Sequence, residues 1–194
     1  MCIRDSIVAL YGSKDIGDNR TFSFQGDLGV SDNESTRHID FGGLNRTARA
    51  DYRTYSAHVG TAISQAFALN EKTTLTPTLR ADYTWLKSRG YTEHGADALN
   101  LTVGSNQAAA FVIGADGYLQ HRFSNTSRLD ANLGIGYDLI NERGNIIATY
   151  AGAPGQSFVT TGIDHSPWLV RGGIGYSMLA ANVTEVSFLY DAEG

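Results

Sequence analysis

Strict period-two alternation, a composition poor in charge but rich in glycine and tyrosine, and short turns alternating with long connections together predict an all-β chain. The predicted architecture is an antiparallel up-and-down transmembrane β-barrel, with about eight strands legible in the chain. The clearest alternation is Leu129-Asp-Ala-Asn-Leu-Gly-Ile-Gly-Tyr-Asp-Leu139, where every odd position is apolar or aromatic and every even one is Asp, Asn or Gly. Of the 194 residues, 42% are hydrophobic and only 18% charged, with 22 Gly, 3 Pro and 10 Tyr, which suits short-turned antiparallel sheet and argues against disorder.

Polar turns fall at Asp15 to Asn19, Asn70 to Thr73, Ser124 to Ser127 and Ala180 to Asn182. Strands read outward from them cover about Ile7 to Ser13, Thr21 to Ser31, Tyr52 to Leu69, Thr74 to Leu86, Ala108 to Phe123, Arg128 to Asn141, Pro167 to Leu179 and Val183 to Tyr190. Most reach the ~9–11 residues that a tilted strand needs to cross a bilayer. Phe22, Phe24, Leu28 and Val30 oppose Ser23, Gln25, Asp27 and Gly29; Phe111, Ile113, Ala115 and Leu119 oppose Gly114, Asp116, Tyr118 and Gln120. Pro77 has no ladder donor and belongs near a strand end. The stretches Asn33 to Ala50, Ser88 to Asn106 and Asn141 to Ser166 read as long loops. Short turns on one side and long loops on the other match the two ends of an outer-membrane barrel.

The alternation alone does not say which face is wet. The polar face is small and charged, while the apolar face keeps its large aromatics at strand ends, which is the pattern of a barrel with a wet interior. With the short turns at the periplasmic side, Tyr55, Tyr83, Trp85, Tyr137, Trp168 and Tyr190 form an outer aromatic girdle, and Phe22, Phe67 and Tyr176 begin an inner one.

Asp27, Arg80, Asp82, Asp116, Asp130, Asp138, Arg171 and Glu185 make up the lumen-facing ionisable set. It reads either as a polar conduit or as solvated charges that pair across strands; carboxylates outnumber bases, so an open lumen favours cations. Gly134-Ile135-Gly136 and Gly172 to Gly175 lie inside strands, with no helix following, and relieve crowding in the lumen rather than bind a dinucleotide. His38, His58, His94, His121 and His165 lack metal-ligand spacing, and no Gly-x-Ser-x-Gly is present. No catalytic site, metal site or cofactor is expected, and the chain is not read as an enzyme. The net charge of −5 and the scattered Lys and Arg exclude a basic nucleic-acid surface.

Cys2 has no partner for an internal disulfide. Residues 1–6 lack both alternation and a signal-peptide core and read as a non-native leader, such as a read adaptor, leaving 7–194 as the domain.

Leu75-Thr76-Pro77, Arg80-Ala81-Asp82-Tyr83, Tyr91-Thr92-Glu93-His94-Gly95-Ala96 and Leu99-Asn100-Leu101 resemble the C-terminal translocator barrel of bacterial autotransporters, as do Gly172 to Tyr176 and the final Leu189 to Gly194. The resemblance implies a partial barrel of the type V secretion class. It further implies a bacterial outer-membrane location, contact with membrane lipid and assembly machinery, and export of an upstream passenger segment of the same polypeptide. A small-solute porin or other outer-membrane barrel is the first alternative reading, and a soluble ligand-binding β-barrel the second.

Overall fold

The structure is a computed structural model that describes residues 3–142, 144–162, 166–180 and 184–194. Its main sheet is built from β1 (Ile3–Gly17), β2 (Arg20–Phe41), β3 (Leu44–Gln65), β4 (Phe67–Asn70), β5 (Thr73–Ser88), β8 (Asn106–Ser124), β9 (Ser127–Asp138), β12 (Trp168–Ala180) and β13 (Thr184–Glu193). Between β5 and β8 lie β6 (Tyr91–Thr92), a short 3-10 turn at Asp97–Leu99, and β7 (Leu101–Val103); between β9 and β12 lie β10 (Asn145–Tyr150) and β11 (Ser157–Thr161). Every pairing is antiparallel, in the order β1-β2-β3-β5-β8-β9-β12-β13, with β4 continuing β3 alongside β5. Among the described residues the path does not return from β13 to β1, and the sheet is the open, curled arrangement of about eight strands that a partial barrel implies.

The short turns behave as their residues dictate. Asp18 and Asn19 take left-handed φ values of 54° and 57°, which these two residue types tolerate, and they close the β1–β2 hairpin. Asn70 accepts a hydrogen bond from the backbone N–H of Lys72 in the β4–β5 turn. Pro77 is the fifth residue of β5; β3 breaks at Ala66, close to where that missing donor would have bonded, while the other side of Pro77 stays in register with Gly117 of β8.

Two expectations need correction. Asn33 to Ala50 is not a loop: β2 and β3 run in unbroken register from Arg20↔Gln65 to Phe41↔Leu44, and Gly42 and Gly43, with φ of 57° and 83°, turn the hairpin at its far end. Ser88 to Asn106 and Asn141 to Ser166 are not structureless either, for they supply a second sheet in the order β11-β10-β7-β6. Ile3 to Ser6 continue β1 as strand residues opposite Val30 to Asn33. Cys2, His165 and the turn residues Ala181 and Asn182 lie outside the described residues.

Burial is inverted relative to a water-soluble sandwich. Among the described residues no large side chain is fully buried, whereas Leu79, Leu133, Ile174, Val170 and Phe188 stand more than half exposed on one face of the main sheet. Such a surface is untenable in water and suits hydrocarbon. The buried apolar cluster is small and sits away from the main sheet's centre, where Ile39, Ala48 and Ala96 pack with Leu44 and Leu99.

Candidate functional site

The register fixes which residues share a face. Gln25 pairs with Gly60, Gly60 with Asp82, Arg80 with Gly114, Asp116 with Gly134, and Gly134 with Arg171, so one face carries Gln25, Asp27, His58, Arg80, Asp82, Asp116, Asp130, Asp138 and Arg171. That face is the concave one. A cavity of about 470 Å³ is lined jointly by Ser23 and Gln25 of β2, Arg80 and Asp82 of β5, and Leu169 and Arg171 of β12. In a flat sheet, the five strand spacings from β2 to β12 would hold these groups roughly 24 Å apart.

The charges on this face are consumed by one another. Arg171 makes two contacts to Asp116, Nε to Oδ1 at 2.8 Å and Nη2 to Oδ2 at 2.7 Å. Arg80 reaches the same carboxylate, its Nε facing Oδ2 at 3.2 Å as an ion pair without hydrogen-bond alignment, and donates from Nη1 to Asp82 Oδ2 at 2.9 Å. His58 stands between two acids, Nδ1 at 2.9 Å from Asp27 Oδ2 and Nε2 at 3.5 Å from Asp82 Oδ1. Asp27, His58, Asp82, Arg80, Asp116 and Arg171 therefore form one ladder across β2, β3, β5, β8 and β12. Asp130 sits apart, accepting from Tyr118, Gln120 and Arg128. Asp138 caps backbone, accepting from the N–H groups of Phe111 and Ile140. Glu185 is opposite Leu179 in the register, and its side chain lies outside what the structure describes.

Glycine makes this ladder sterically feasible. A Cβ on Gly134 would fall on Asp116 Oδ1, one on Gly60 on Asp82 Oδ1, and one on Gly173 on Asp191 Oδ1, while at Gly114 it would stand 3.0 Å from Arg80 Nε. The reading that these small residues relieve crowding on the polar face thus has a specific basis.

The six aromatics Tyr55, Tyr83, Trp85, Tyr137, Trp168 and Tyr190 fall on the convex, apolar face. Tyr137 and Trp168 are register partners in edge-to-face contact, with centroids 4.9 Å apart. The Arg89 guanidinium lies 5.4 Å from the Tyr55 ring. Tyr190 pairs with Ile174, six residues along β12 from Trp168, and so stands well below the Tyr137–Trp168 row. At the short-turn end, Phe123 meets Tyr176 at 6.3 Å.

A second constellation escaped the sequence reading. The β2–β3 hairpin extends past Asn33 and Thr54, where its outer neighbours stop, and the connection after β5 packs onto it. Arg37 forks onto Glu93, Nε to Oε1 at 3.1 Å and Nη2 to Oε2 at 2.5 Å, and also donates to the Leu99 carbonyl. Glu93, 5% exposed, accepts a further bond from the Leu101 N–H. Burial pushes the Glu93 carboxyl up, but the Arg37 hydrogen bonds, the Leu101 N–H and the Arg37 charge together hold it below the ordinary glutamate range. Tyr91 stacks on Tyr52 at 4.9 Å, and Arg49 and His94 exchange backbone hydrogen bonds. Gly95, at φ 99°, lies so close to Thr47 that a Cβ would meet its carbonyl at 2.5 Å. The run Tyr91 to Ala96, which carried the resemblance, is thus the face of the connection that grips the hairpin.

A curled antiparallel sheet with a greasy convex surface and a polar concave wall defines the class of strand-built outer-membrane domains. Within that class, the family model described as autotransporter beta-domain matches residues 4–191, and the chain belongs to that family. Among solved structures, the translocator domain of autotransporter NalP from Neisseria meningitidis superposes with a TM-score of 0.67 at 18% identity, covering 99% of this chain. The chain spans 61% of that structure's length. A major outer membrane protein from Thermus thermophilus aligns over 97% of this chain and all of its own, at 10% identity and a TM-score of 0.38. No curated protein matches the chain.

Proposed function

We propose that this chain is the greater part of a translocator barrel that anchors in the bacterial outer membrane and helps export an upstream passenger to the cell surface. The observation that carries the reading is the ionic ladder from Asp27 to Arg171 on the concave wall, backed by an exposed apolar convex face in a chain of the autotransporter family. A wall whose charges are already paired presents water and polar backbone to a passing segment without binding it tightly. The barrel acts as an anchor and passage, not as an enzyme. Its partners are outer-membrane lipid, the passenger on the same polypeptide and the outer-membrane assembly machinery. Tyr55, Tyr83, Trp85, Tyr137 and Trp168 hold the outer interface, where amphipathic rings are most stable.

The test is to place an epitope in the region encoded upstream and to ask whether it reaches the surface. Antibody labelling of intact cells is the expected result. An epitope that stays in the periplasm while the barrel inserts normally would refute export and leave the porin reading in its place.

A further inference from the structure

The β2–β3 register runs without a shift from the turn end to Phe41↔Leu44, so faces are conserved along it. The concave wall continues as Ser31, Asn33, Arg37 and Ile39 on β2 and as Tyr52, Ala50 and Ala48 on β3. Those are the positions that the connection after β5 covers: Glu93 pairs with Arg37, Tyr91 stacks on Tyr52, and Ala96 packs on Ile39 and Ala48. Ala48 and Ala50 are 1% and 2% exposed as a result. The connection therefore lies on the inward side of the projecting hairpin, above the polar wall, rather than splaying away from it.

We propose that residues 91–101 form a cap over the outer mouth of the lumen, latched to the hairpin by the Arg37–Glu93 pair, and that releasing the latch widens the passage. The inference rests on the translocator reading for its biological sense, but its geometry does not. The latch is suited to two states. A buried carboxylate whose bidentate partner is removed becomes an uncompensated charge, a penalty large enough to favour the undocked loop over the docked one. Among the described residues the apolar cluster beside it is small, Ile39, Ala48 and Ala96 with Leu44 and Leu99, and further ties between loop and hairpin are the Tyr91–Tyr52 stack and the paired backbone bonds of Arg49 with His94.

Single-channel conductance in planar bilayers, with the intact barrel-containing protein, tests this. Glu93→Gln and Arg37→Gln are each expected to raise conductance roughly two-fold, with more frequent fluctuations, while the heat-dependent gel shift of a folded barrel is retained. In a Cys2→Ser background, Ala48→Cys with Ala96→Cys joins two residues of the same buried cluster. Oxidising that pair in the Glu93→Gln protein is expected to restore the wild-type conductance, and reduction to release it again. Unchanged conductance in both single variants overturns the cap. So does a Glu93→Gln channel that stays wide after oxidation. If Glu93→Gln fails to insert, the cysteine pair in the otherwise native protein decides: oxidation should suppress the native fluctuations, and persistence of those fluctuations refutes the latch. A protein that behaves as expected here and yet leaves its upstream epitope in the periplasm would refute export and leave the cap intact.

Discussion

Leu133 is the position at which the assignment of faces meets its hardest test. It lies on the convex face of β9, 69% exposed, and its register partners are Gly117 of β8 and Gly172 of β12, neither of which shields it with a side chain. Along β9 it stands midway between Leu129, opposite Tyr176 of the inner aromatic end, and Tyr137, opposite Trp168 of the outer one. That places it near the bilayer midplane. Arginine at a lipid-facing midplane site costs ~2–4 kcal/mol and at an interface ~0–1 kcal/mol. Leu133→Arg should therefore lower the folding constant roughly 30- to 700-fold at about 1.4 kcal/mol per decade. Ile135→Arg, one pleat nearer the girdle, should cost less, and Tyr137→Arg less again apart from its lost contact with Trp168. Asn132→Arg, on the concave wall next to Leu133, is the control and should cost under about 1 kcal/mol. The assay is urea-dependent folding of the complete barrel into lipid vesicles, read by the gel shift on heating. A flat profile along Leu133, Ile135 and Tyr137, or an Asn132→Arg penalty exceeding that of Leu133→Arg, would mean that the concave face is the one in lipid.

Gly134→Ala should destabilise the barrel by about 1–3 kcal/mol, because its Cβ displaces Asp116 from Arg171; Gly117→Ala, whose Cβ meets only the Leu133 carbonyl at 4.0 Å, should be near neutral, and denaturant midpoints compare the two. Asp116→Asn leaves Arg80 and Arg171 without their shared carboxylate and should shift the reversal potential of the channel toward anions, whereas unchanged selectivity would mean that the ladder does not line the conducting path. Glu93 has a folded-state pKa below its unfolded value, so its contribution is full above the ordinary glutamate value of 4.5 and is lost as pH falls through the lower, folded one. Arg37, whose charge Glu93 feels, and the Tyr91 hydroxyl, whose ionisation Glu93 opposes, stay protonated throughout that range. Hydrogen exchange at Leu101, whose N–H bonds Glu93, should accordingly be insensitive to pH-corrected acidification from 7 to 5 and accelerate below about 4; protection lost already between 7 and 5 would refute the pairing.

The membrane strands were legible because lipid on one side and water on the other enforce period two, as in Leu129 to Leu139 and Trp168 to Met178. The outer half of the β2–β3 hairpin was not, because Asn33 to Asp40 has no lipid-facing side and so loses the alternation; the Gly42-Gly43 pair was the one local signal of a hairpin there. Five members of the ionic ladder, Asp27, Arg80, Asp82, Asp116 and Arg171, stood together in the expected lumen-facing set, since each is a charge on the polar face; His58, read only as a histidine without metal-ligand spacing, did not. Their pairing was not, because it depends on how far neighbouring strands are staggered, which no single strand encodes. Arg37 and Glu93 are 56 positions apart and became visible only through that stagger.

The glycines opposite the charged residues have a consequence for calibre. Because Gly60, Gly114 and Gly134 leave shallow seats in the wall, the carboxylates of Asp82 and Asp116 and the guanidinium of Arg80 recline sideways onto the neighbouring strand instead of pointing along the radius. Side chains stored flush with the surface leave the bore nearly as wide as the backbone permits. A channel lined in this way can be strongly charged and still offer clearance for a peptide in extended or folded form, with its diameter set by strand number rather than by the length of its ionic residues.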